Sequence, residues 1–220
     1  MKVPFVDLSA QYLSIKEEID REILSVLEST QYIKGSHVEK FEKEFSEYAG
    51  ARHCIGVGNG TDAIFLALRA LGIGPGDEVI TVPNTFIATT EAISLAGGKI
   101  VWSDIDYETY LMDASKVESL ITEKTKAILP VHLYGNVAEL EPLRKIADKH
   151  NLYLVSDAAQ AHGAKYNGRD VNYYSDISTY SFYPGKNLGA YGDAGAVVTN
   201  DDSLARRIRM LADHGRSDKY

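Results

Sequence analysis

The chain has 220 residues and a formal net charge of −8, from 23 basic and 31 acidic side chains. This length is sufficient for one large hydrophobic core. The excess of acidic residues argues against nucleic acid as the main partner. Cys54 is the only cysteine, so no internal disulfide can form, as is typical of proteins from reducing compartments.

Nothing in the sequence indicates export, a membrane or a metal. Pro4 and Asp7 interrupt the N-terminal segment before the apolar core of an export signal can develop. No apolar run is long enough to span a bilayer. The six histidines are scattered, without a His-x-x-x-His pair, so no metal site is predicted. We therefore expect a cytoplasmic protein with no membrane partner.

Two helices are predicted ahead of the first strand, within an N-terminal helical segment that covers residues 1–50. The first spans residues 9–30 and has an apolar face. The second begins at Ser36, because Ser36-His-Val-Glu39 matches a capping box. The apolar face of the first helix consists of Ile15, Ile19, Ile23, Val26 and Leu27.

Short β-prone runs then alternate with helical segments. This rhythm predicts a three-layer α/β/α fold, with a mostly parallel sheet that binds its ligand beyond the carboxyl ends of the strands. Residues 176–199 differ and favour short strands and turns. The predicted strands are 53–57, 78–82, 99–103, 127–131 and 152–156, and the predicted helices are 61–71, 85–95, 114–121, 140–150 and 203–212.

A glycine-rich turn, Gly56-Val-Gly-Asn-Gly60-Thr61, connects the first strand to its helix. Free backbone N–H groups and the helix dipole make such a turn a candidate anion site, to which Thr61 can add a hydroxyl. Glycine-rich turns also occur as plain tight loops, so this feature alone leaves both interpretations open.

The same turn also matches the G-x-G-x-x-G/A fingerprint of dinucleotide sites through Gly58-Asn-Gly-Thr-Asp-Ala63. That fingerprint requires an acidic residue at the end of the next strand, where this chain has Thr81-Val-Pro-Asn84. An NAD-dependent sugar-nucleotide enzyme is therefore an alternative with less support.

Two further segments carry groups with chemical potential. Asp157 follows an apolar strand, where a buried carboxylate needs a cationic partner, although an isolated Asp more often caps a turn. Lys186 lies in Ser181-Phe-Tyr-Pro-Gly-Lys-Asn-Leu-Gly189, among small residues that hold an amine in place. Such a lysine can attack an aldehyde and hold it as a Schiff base, whereas most lysines in turns are simply exposed.

Together these groups match the needs of pyridoxal 5'-phosphate. Gly60, Thr61 and Ser181 would hold the phosphate, and Asp157 would keep the pyridine nitrogen protonated. Lys186 would hold the aldehyde carbon. Phe86, in Pro83-Asn-Thr-Phe86, would stack on the ring, although a phenylalanine more often packs in a core.

At these residues the chain resembles the DegT/DnrJ/EryC1/StrS family of sugar aminotransferases, a branch of the fold-type I pyridoxal-phosphate enzymes. The similarity covers essentially the whole chain, and the motifs are highly specific in combination. They are Val3-Pro-Phe-Val-Asp-Leu8, Gly58-Asn-Gly-Thr-Asp62, Pro83-Asn-Thr-Phe86, Asp157-Ala-Ala-Gln160-Ala-His162 and Ser181-Phe-Tyr-Pro-Gly-Lys-Asn-Leu-Gly189.

The resemblance implies a nucleotide-linked keto-sugar as amino acceptor, L-glutamate as donor, and a homodimer with shared active sites. It favours amination at carbon 3 of a dTDP-linked 6-deoxy sugar. It makes Lys186 the Schiff-base lysine and Asp157 its catalytic partner at the pyridine nitrogen. It places Gln160 close to the cofactor ring, and Gly60, Thr61 and Ser181 at the phosphate.

Family members continue into a second, smaller domain, which this chain is expected to lack. Residues 1–220 would then form the cofactor-binding large domain, and the polar segment 215–220 reads as an interrupted end. A truncated, non-catalytic protein that still binds pyridoxal phosphate is the alternative to an active aminotransferase.

Overall fold

The structure is a computed structural model that describes residues 3–216. The expected interrupted end lies largely in residues 217–220, which are outside the described residues. The first two residues of the N-terminal segment also lie outside them. Between these limits the chain forms the α/β fold that the sequence predicts. No helix among residues 3–216 combines the length and the apolar character needed to cross a bilayer.

Helix α1 spans Leu8–Ser29 and helix α2 spans Ser36–Tyr48, so both predicted N-terminal helices are present. No residue of α1 is buried. The predicted capping box at Ser36 is wrong, because Ser36 already has helical geometry and Gly35 is the N-cap. The Gly35 carbonyl accepts hydrogen bonds from the N–H groups of Val38 and Glu39, which starts the helix without a side-chain cap.

A seven-stranded sheet forms the centre of the molecule, with strand order β1-β9-β8-β5-β4-β2-β3. Strands β2 to β5 and β8 are parallel, whereas β9 is antiparallel to both β1 and β8. A separate small hairpin joins β6 to β7. The strands are β1 (His53–Val57), β2 (Glu78–Thr81), β3 (Lys99–Trp102), β4 (Thr125–Leu129), β5 (Tyr153–Asp157), β6 (Lys165–Tyr166), β7 (Arg169–Asp170), β8 (Ile177–Ser181) and β9 (Gly195–Thr199).

Five helices follow the strands, at positions close to those predicted. They are α3 (Gly60–Ala70), α4 (Ile87–Ala96), α5 (Ala114–Val117), α6 (Leu140–His150) and α7 (Asp202–Leu211). The predicted helix over 114–121 is correct only in its first half, because residues 118–120 tighten into a 3₁₀ turn. Strand β4 ends before the predicted residue 131, since Pro130 has no N–H to donate to a neighbouring strand.

The core is divided by the sheet, because neighbouring strand residues point to opposite faces. Ile55 and Val197 belong to the larger cluster, which includes residues of α3 and α7. Cys54 and Val198 belong to a smaller cluster with Phe45 of α2. Helices therefore cover both faces of the sheet, in agreement with the predicted three-layer architecture.

Candidate active site

The candidate site lies at one edge of the sheet, where several strands end. Parallel strands β2, β4, β5 and β8 all have their carboxyl ends there. Since β9 is antiparallel to its neighbours β1 and β8, β1 also ends at this edge and β9 begins there. The segments after these strands enclose a cleft of about 730 Å³. All of the sequence-predicted site residues line it: Gly60, Thr61, Phe86, Asp157, Gln160, Ser181 and Lys186.

The N-terminus of α3 forms one wall of the cleft. Asn59 is the N-cap, and its side chain accepts a hydrogen bond of 2.8 Å from the N–H of Asp62. Gly60 and Thr61 occupy the first two helical positions, whose N–H groups have no partner within the helix. The helix dipole adds partial positive charge at this end. This wall therefore offers backbone donors and a threonine hydroxyl to an anion.

Close backbone contacts hold this wall against the ends of β8 and β9. A Cβ atom on Gly60 would lie 2.6 Å from the Cβ of Ser181, and one on Gly195 would lie 2.2 Å from the carbonyl oxygen of Asn59. Both separations are too short for a side chain. Glycine at these positions lets the turn, Ser181 and the start of β9 meet, which brings the Ser181 hydroxyl to the phosphate-binding candidates.

Asp157 is the last residue of β5, and its side chain is buried. The Oδ1 atom accepts a hydrogen bond of 3.1 Å from the N–H of Ala159, and Oδ2 accepts one of 2.7 Å from the hydroxyl of Thr89. Among residues 3–216 no side-chain cation lies within 4.0 Å of the Asp157 carboxylate. The carboxylate is instead held by two neutral donors, which satisfy a buried charge without neutralising it.

Lys186 lies in the compact loop between β8 and β9. Its N–H donates to the carbonyl of Tyr183 at 2.8 Å, which closes a turn. Gly189 packs directly on Pro184, since a Cβ there would lie 2.3 Å from the Pro184 carbonyl oxygen. These contacts fix the backbone at Lys186, whose half-buried side chain lines the cleft.

Phe86 and Gln160 both line the cleft, but Phe86 is exposed to solvent whereas Gln160 is hydrogen-bonded to the backbone. Phe86 is the N-cap of α4 and is 68% exposed, so it is not the core residue that its type alone favours. Gln160 uses Oε1 to accept a 2.7 Å hydrogen bond from the N–H of Tyr134, which has a positive φ of 54°. Gln160 thus stabilises a strained turn, and its amide nitrogen remains available to a ligand.

Burial shifts the pKa of each of the two central ionisable groups toward its neutral form. Burial raises the pKa of Asp157, while the Thr89 hydroxyl and the charge of Lys186 act in the opposite direction. Burial lowers the pKa of Lys186, and the charge of Asp157 partly offsets this effect. Lys186 is therefore closer to a neutral, nucleophilic amine than an exposed lysine.

Charge in the cleft does not by itself favour an anion. Asp62, Glu91, Asp157 and Asp193 line the cleft together with a single cationic residue, Lys186. Attraction of an anion therefore depends on short-range donors at the start of α3 rather than on the overall field.

Histidines do not contribute to the cleft. The ring of His162 packs between Tyr180 and Phe182, with centroids 5.4 and 5.3 Å away, and burial lowers its pKa. His132 is fully buried, which lowers its pKa to about 3 and keeps it neutral. Within residues 3–216 no group of three metal-ligating side chains is present.

The dinucleotide alternative is not supported by the position of the glycine turn. In dinucleotide-binding folds this turn follows a central strand of a parallel sheet. Here it follows β1, which lies at the edge of the sheet and pairs only with antiparallel β9. The segment after β2 also provides no carboxylate at residues 82–84.

The arrangement fits pyridoxal phosphate. The start of α3 at Gly60 offers N–H donors and has no room for a side chain, a buried carboxylate lies at the end of β5, and an amine of lowered pKa lines the same cleft. A cleft of about 730 Å³ is ample for a small-molecule ligand. The donor set therefore suits a ligand with one anionic and one cationic end.

Gly195→Ala is expected to destabilise the protein by about 1–3 kcal/mol, because the added methyl overlaps the Asn59 carbonyl and forces the turn to shift. Urea unfolding measures the change. Gly56→Ala in β1 is the matched control, since its Cβ would meet its nearest atoms at 3.6 Å, an ordinary contact. Equal stabilities for the two variants would contradict the close approach.

Asp157→Asn is expected to raise the free energy of unfolding of the cofactor-free protein at neutral pH, by on the order of 1 kcal/mol. The pKa of Asp157 is raised in the folded state, so its contribution to stability is complete below about pH 4 and is lost as the pH rises through the folded pKa. Asparagine does not ionise, so the advantage should disappear in acid.

Asp104→Asn is the control of opposite sign. The pKa of Asp104 is lowered by hydrogen bonds from the N–H of Ile105 and from Lys116, so its loss should destabilise the protein at neutral pH. Urea unfolding at several pH values tests both variants. If Asp157→Asn instead lowers the free energy of unfolding at neutral pH, ionisation of the buried Asp157 is not the dominant destabilising effect at this position.

Comparison with known proteins identifies the family. The pattern of the DegT/DnrJ/EryC1/StrS aminotransferase family matches residues 13–220. The chain is 52% identical over 220 residues to a Geobacillus stearothermophilus "pleiotropic regulatory protein". It is 49% identical over 219 residues to a Streptomyces venezuelae dTDP-3-amino-3,4,6-trideoxy-alpha-D-glucose transaminase.

A solved structure of S. venezuelae DesV, in complex with a ketimine intermediate, superimposes with a TM-score of 0.96 at 49% identity. It covers 100% of this chain, which in turn spans 59% of that structure and 58–59% of the two relatives. The chain belongs to the DegT/DnrJ/EryC1/StrS aminotransferase family.

Proposed function

We propose that this protein binds pyridoxal phosphate and transfers an amino group from L-glutamate to a nucleotide-linked keto-sugar. The observation that carries the proposal is the meeting of Lys186 and Asp157 in one cleft with the anion-binding start of α3. The proposal treats residues 1–220 as the cofactor-binding large domain and places the protein in the cytoplasm, in keeping with its single, free cysteine.

The proposed binding residues form three groups, one for the phosphate, one for the ring nitrogen and one for the ring face. The N–H groups of Gly60 and Thr61 and the hydroxyl of Ser181 would hold the phosphate. Asp157 would accept a hydrogen bond from the ring nitrogen at the other end. Phe86 would cover one face of the ring, and Gln160 would present its amide nitrogen beside it.

When bound, pyridoxal phosphate supplies an aldehyde carbon and a ring that withdraws electrons. Lys186 Nζ would bond to that carbon and, once displaced by a donor amine, would take the proton from the donor α-carbon and give it to the former aldehyde carbon of the cofactor. Both tasks need a neutral amine, and burial lowers the pKa of Lys186 in that direction. Asp157 must instead be ionised, which its two hydrogen-bond donors favour.

The proposed acceptor is a dTDP-linked keto-6-deoxy sugar aminated at carbon 3. Support comes from the name of the S. venezuelae relative, a transaminase of a dTDP-linked 3-amino sugar, at 49% identity. Within residues 3–216 the exposed side of the cleft carries Glu91 and Asp193, which can accept hydrogen bonds from sugar hydroxyl groups.

A non-catalytic protein that binds the same cofactor is the second candidate. It is favoured by the name of the G. stearothermophilus relative, which describes a regulatory protein at 52% identity. Both candidates require Lys186 to bind the cofactor, and only the aminotransferase requires a response to an amino donor.

Lys186→Ala is expected to abolish covalent retention of the cofactor, because no other amine lines the cleft within the described chain. After incubation with pyridoxal phosphate and reduction by borohydride, intact mass should show one cofactor per parent chain and none per variant. Lys145→Ala, which removes an exposed lysine of α6, is the control and should retain the cofactor. A label that persists in Lys186→Ala would refute the assignment.

Protein loaded with pyridoxal phosphate but not treated with borohydride separates the two candidates. Glutamate should bleach the visible absorbance of the parent, and a dTDP-linked 3-keto-6-deoxy sugar should then restore it. Absorbance that no amino donor bleaches would favour the non-catalytic protein.

The protein is proposed to act as a homodimer with shared active sites. In support, apolar side chains near the cleft remain exposed, among them Phe86 at 68%, Ile87 at 65% and Tyr110 at 53%. Multi-angle light scattering should give twice the chain mass, and Ile87→Asp should shift the distribution toward monomer. A monomer that still turns over substrate would contradict shared sites.

A further inference from the structure

The hydrogen bond between Thr89 and Asp157 joins two distant parts of the chain. Thr89 lies on α4 and is fully buried, and its hydroxyl donates to Asp157 Oδ2 at 2.7 Å. Thr89 was not among the residues that the sequence analysis selected, because nothing in its local sequence distinguishes it from the neighbouring Thr90. The Thr90 hydroxyl donates to the carbonyl of Ile87, one turn earlier in its own helix.

A second hydroxyl extends this contact to the cleft. Thr85 Oγ1 lies 2.8 Å from Thr89 Oγ1, and Thr85 lines the cleft. A hydroxyl has one proton to donate, and an ionised carboxylate can only accept. With Asp157 ionised, Thr89 therefore gives its proton to Asp157, and Thr85 must give its own to Thr89. The three groups then form a directed chain from Thr85 through Thr89 to Asp157.

The direction of this chain depends on the charge of Asp157. A protonated Asp157 could donate to Thr89, which would donate to Thr85, so that every hydrogen bond in the chain would reverse. Hydrogen bonds to an ionised acceptor are roughly twice as strong as those between neutral groups. The hydrogen bonds from Thr85 through Thr89 thus favour the ionised form of Asp157, whereas burial favours the protonated form.

We propose that Thr89 is a positioning residue that keeps the Asp157 carboxylate ionised and fixed in orientation for the ring nitrogen of the cofactor, and that Thr85 fixes the direction of the Thr89 proton. This inference rests on the proposed function for its purpose, whereas the Thr89–Asp157 contact itself is independent of any ligand. Thr89 does not line the cleft and would act only through Asp157.

Other charged groups near Asp157 must be considered, because each could also set its charge. Lys186 faces it from the loop after β8 and lowers its pKa. His132 donates its backbone N–H to the Asp157 carbonyl at 3.0 Å, but its buried ring stays neutral. The carboxylates of Asp62, Glu91 and Asp193 line the same cleft, and none of them is among the groups that shift the pKa of Asp157. Lys186 is therefore the one charge that could substitute for Thr89, and it is the group that must be neutral during catalysis.

The first test uses pyridoxal phosphate labelled with ¹⁵N at the ring nitrogen, whose NMR shift reports protonation. In Thr89→Val the ratio of protonated to unprotonated nitrogen should fall about tenfold, which moves its titration midpoint by about one pH unit. Thr85→Val should change it in the same direction by a smaller factor. Thr89→Ser, which keeps the hydroxyl, and Thr90→Val, which is the matched control, should behave as the parent does.

A purely structural role for Thr89 predicts a different order. The β-methyl of threonine would then matter, so Thr89→Ser would be more harmful than the isosteric Thr89→Val. That order, or a ring nitrogen with the same titration in Thr89→Val and in the parent, would overturn the proposal.

The second test needs no cofactor. The hydroxyl lowers the pKa of Asp157, so the stability that Thr89→Val loses should increase as the pH rises through that pKa. Urea unfolding of the parent, Thr89→Val and Thr90→Val across pH measures this difference. If Thr89→Val loses the same amount of stability at every pH, the role of Thr89 is overturned, whether or not the parent binds pyridoxal phosphate. If the parent fails to bind pyridoxal phosphate but the stability loss does depend on pH, only the proposed function is refuted.

Discussion

The constraint on which the site depends is a carboxylate buried without a cation. Asp157 ends β5 inside the molecule, where ionisation is costly, and the chain offsets that cost with the N–H of Ala159 and the hydroxyl of Thr89. An arginine in contact would have satisfied the same charge and cancelled it. Neutral donors leave the negative charge available to the cleft, where it would pair with the cationic ring nitrogen of the proposed ligand.

The opposite end of the cleft follows from the placement of a single strand. Antiparallel β9 lies between β1 and β8, which brings the turn after β1 next to the end of β8. The resulting contact leaves no volume for a side chain at Gly60 or Gly195. Because the cleft as a whole is rich in carboxylates, the proposed binding of a phosphate would depend on the few N–H and hydroxyl donors gathered there. Such contacts act over a few ångströms and are insensitive to the net charge of −8.

The sequence was sufficient for the features that depend on local pattern. Apolar periodicity located the strands and helices, and the residue types around Gly60, Asp157 and Lys186 identified side chains that do share one cleft. Features that depend on long-range pairing were not accessible. Thr89 meets Asp157 across 68 positions of sequence, and the antiparallel placement of β9 has no local signal. The capping box at Ser36 failed because glycine at the preceding position can start the helix one residue earlier.

The electrostatic balance between Asp157 and Lys186 explains why the two groups belong in the same cleft but not in an ion pair. Burial of the amine lowers the pKa of Lys186, whereas the negative charge of Asp157 raises it. A cation bound at Asp157 would cancel the charge that raises the pKa of Lys186. Burial would then lower that pKa without opposition from Asp157. Filling one end of the cleft with a protonated ring would therefore favour the neutral amine at the other. A direct Lys186–Asp157 ion pair would prevent this, because the amine would then hold its proton whenever the carboxylate was ionised.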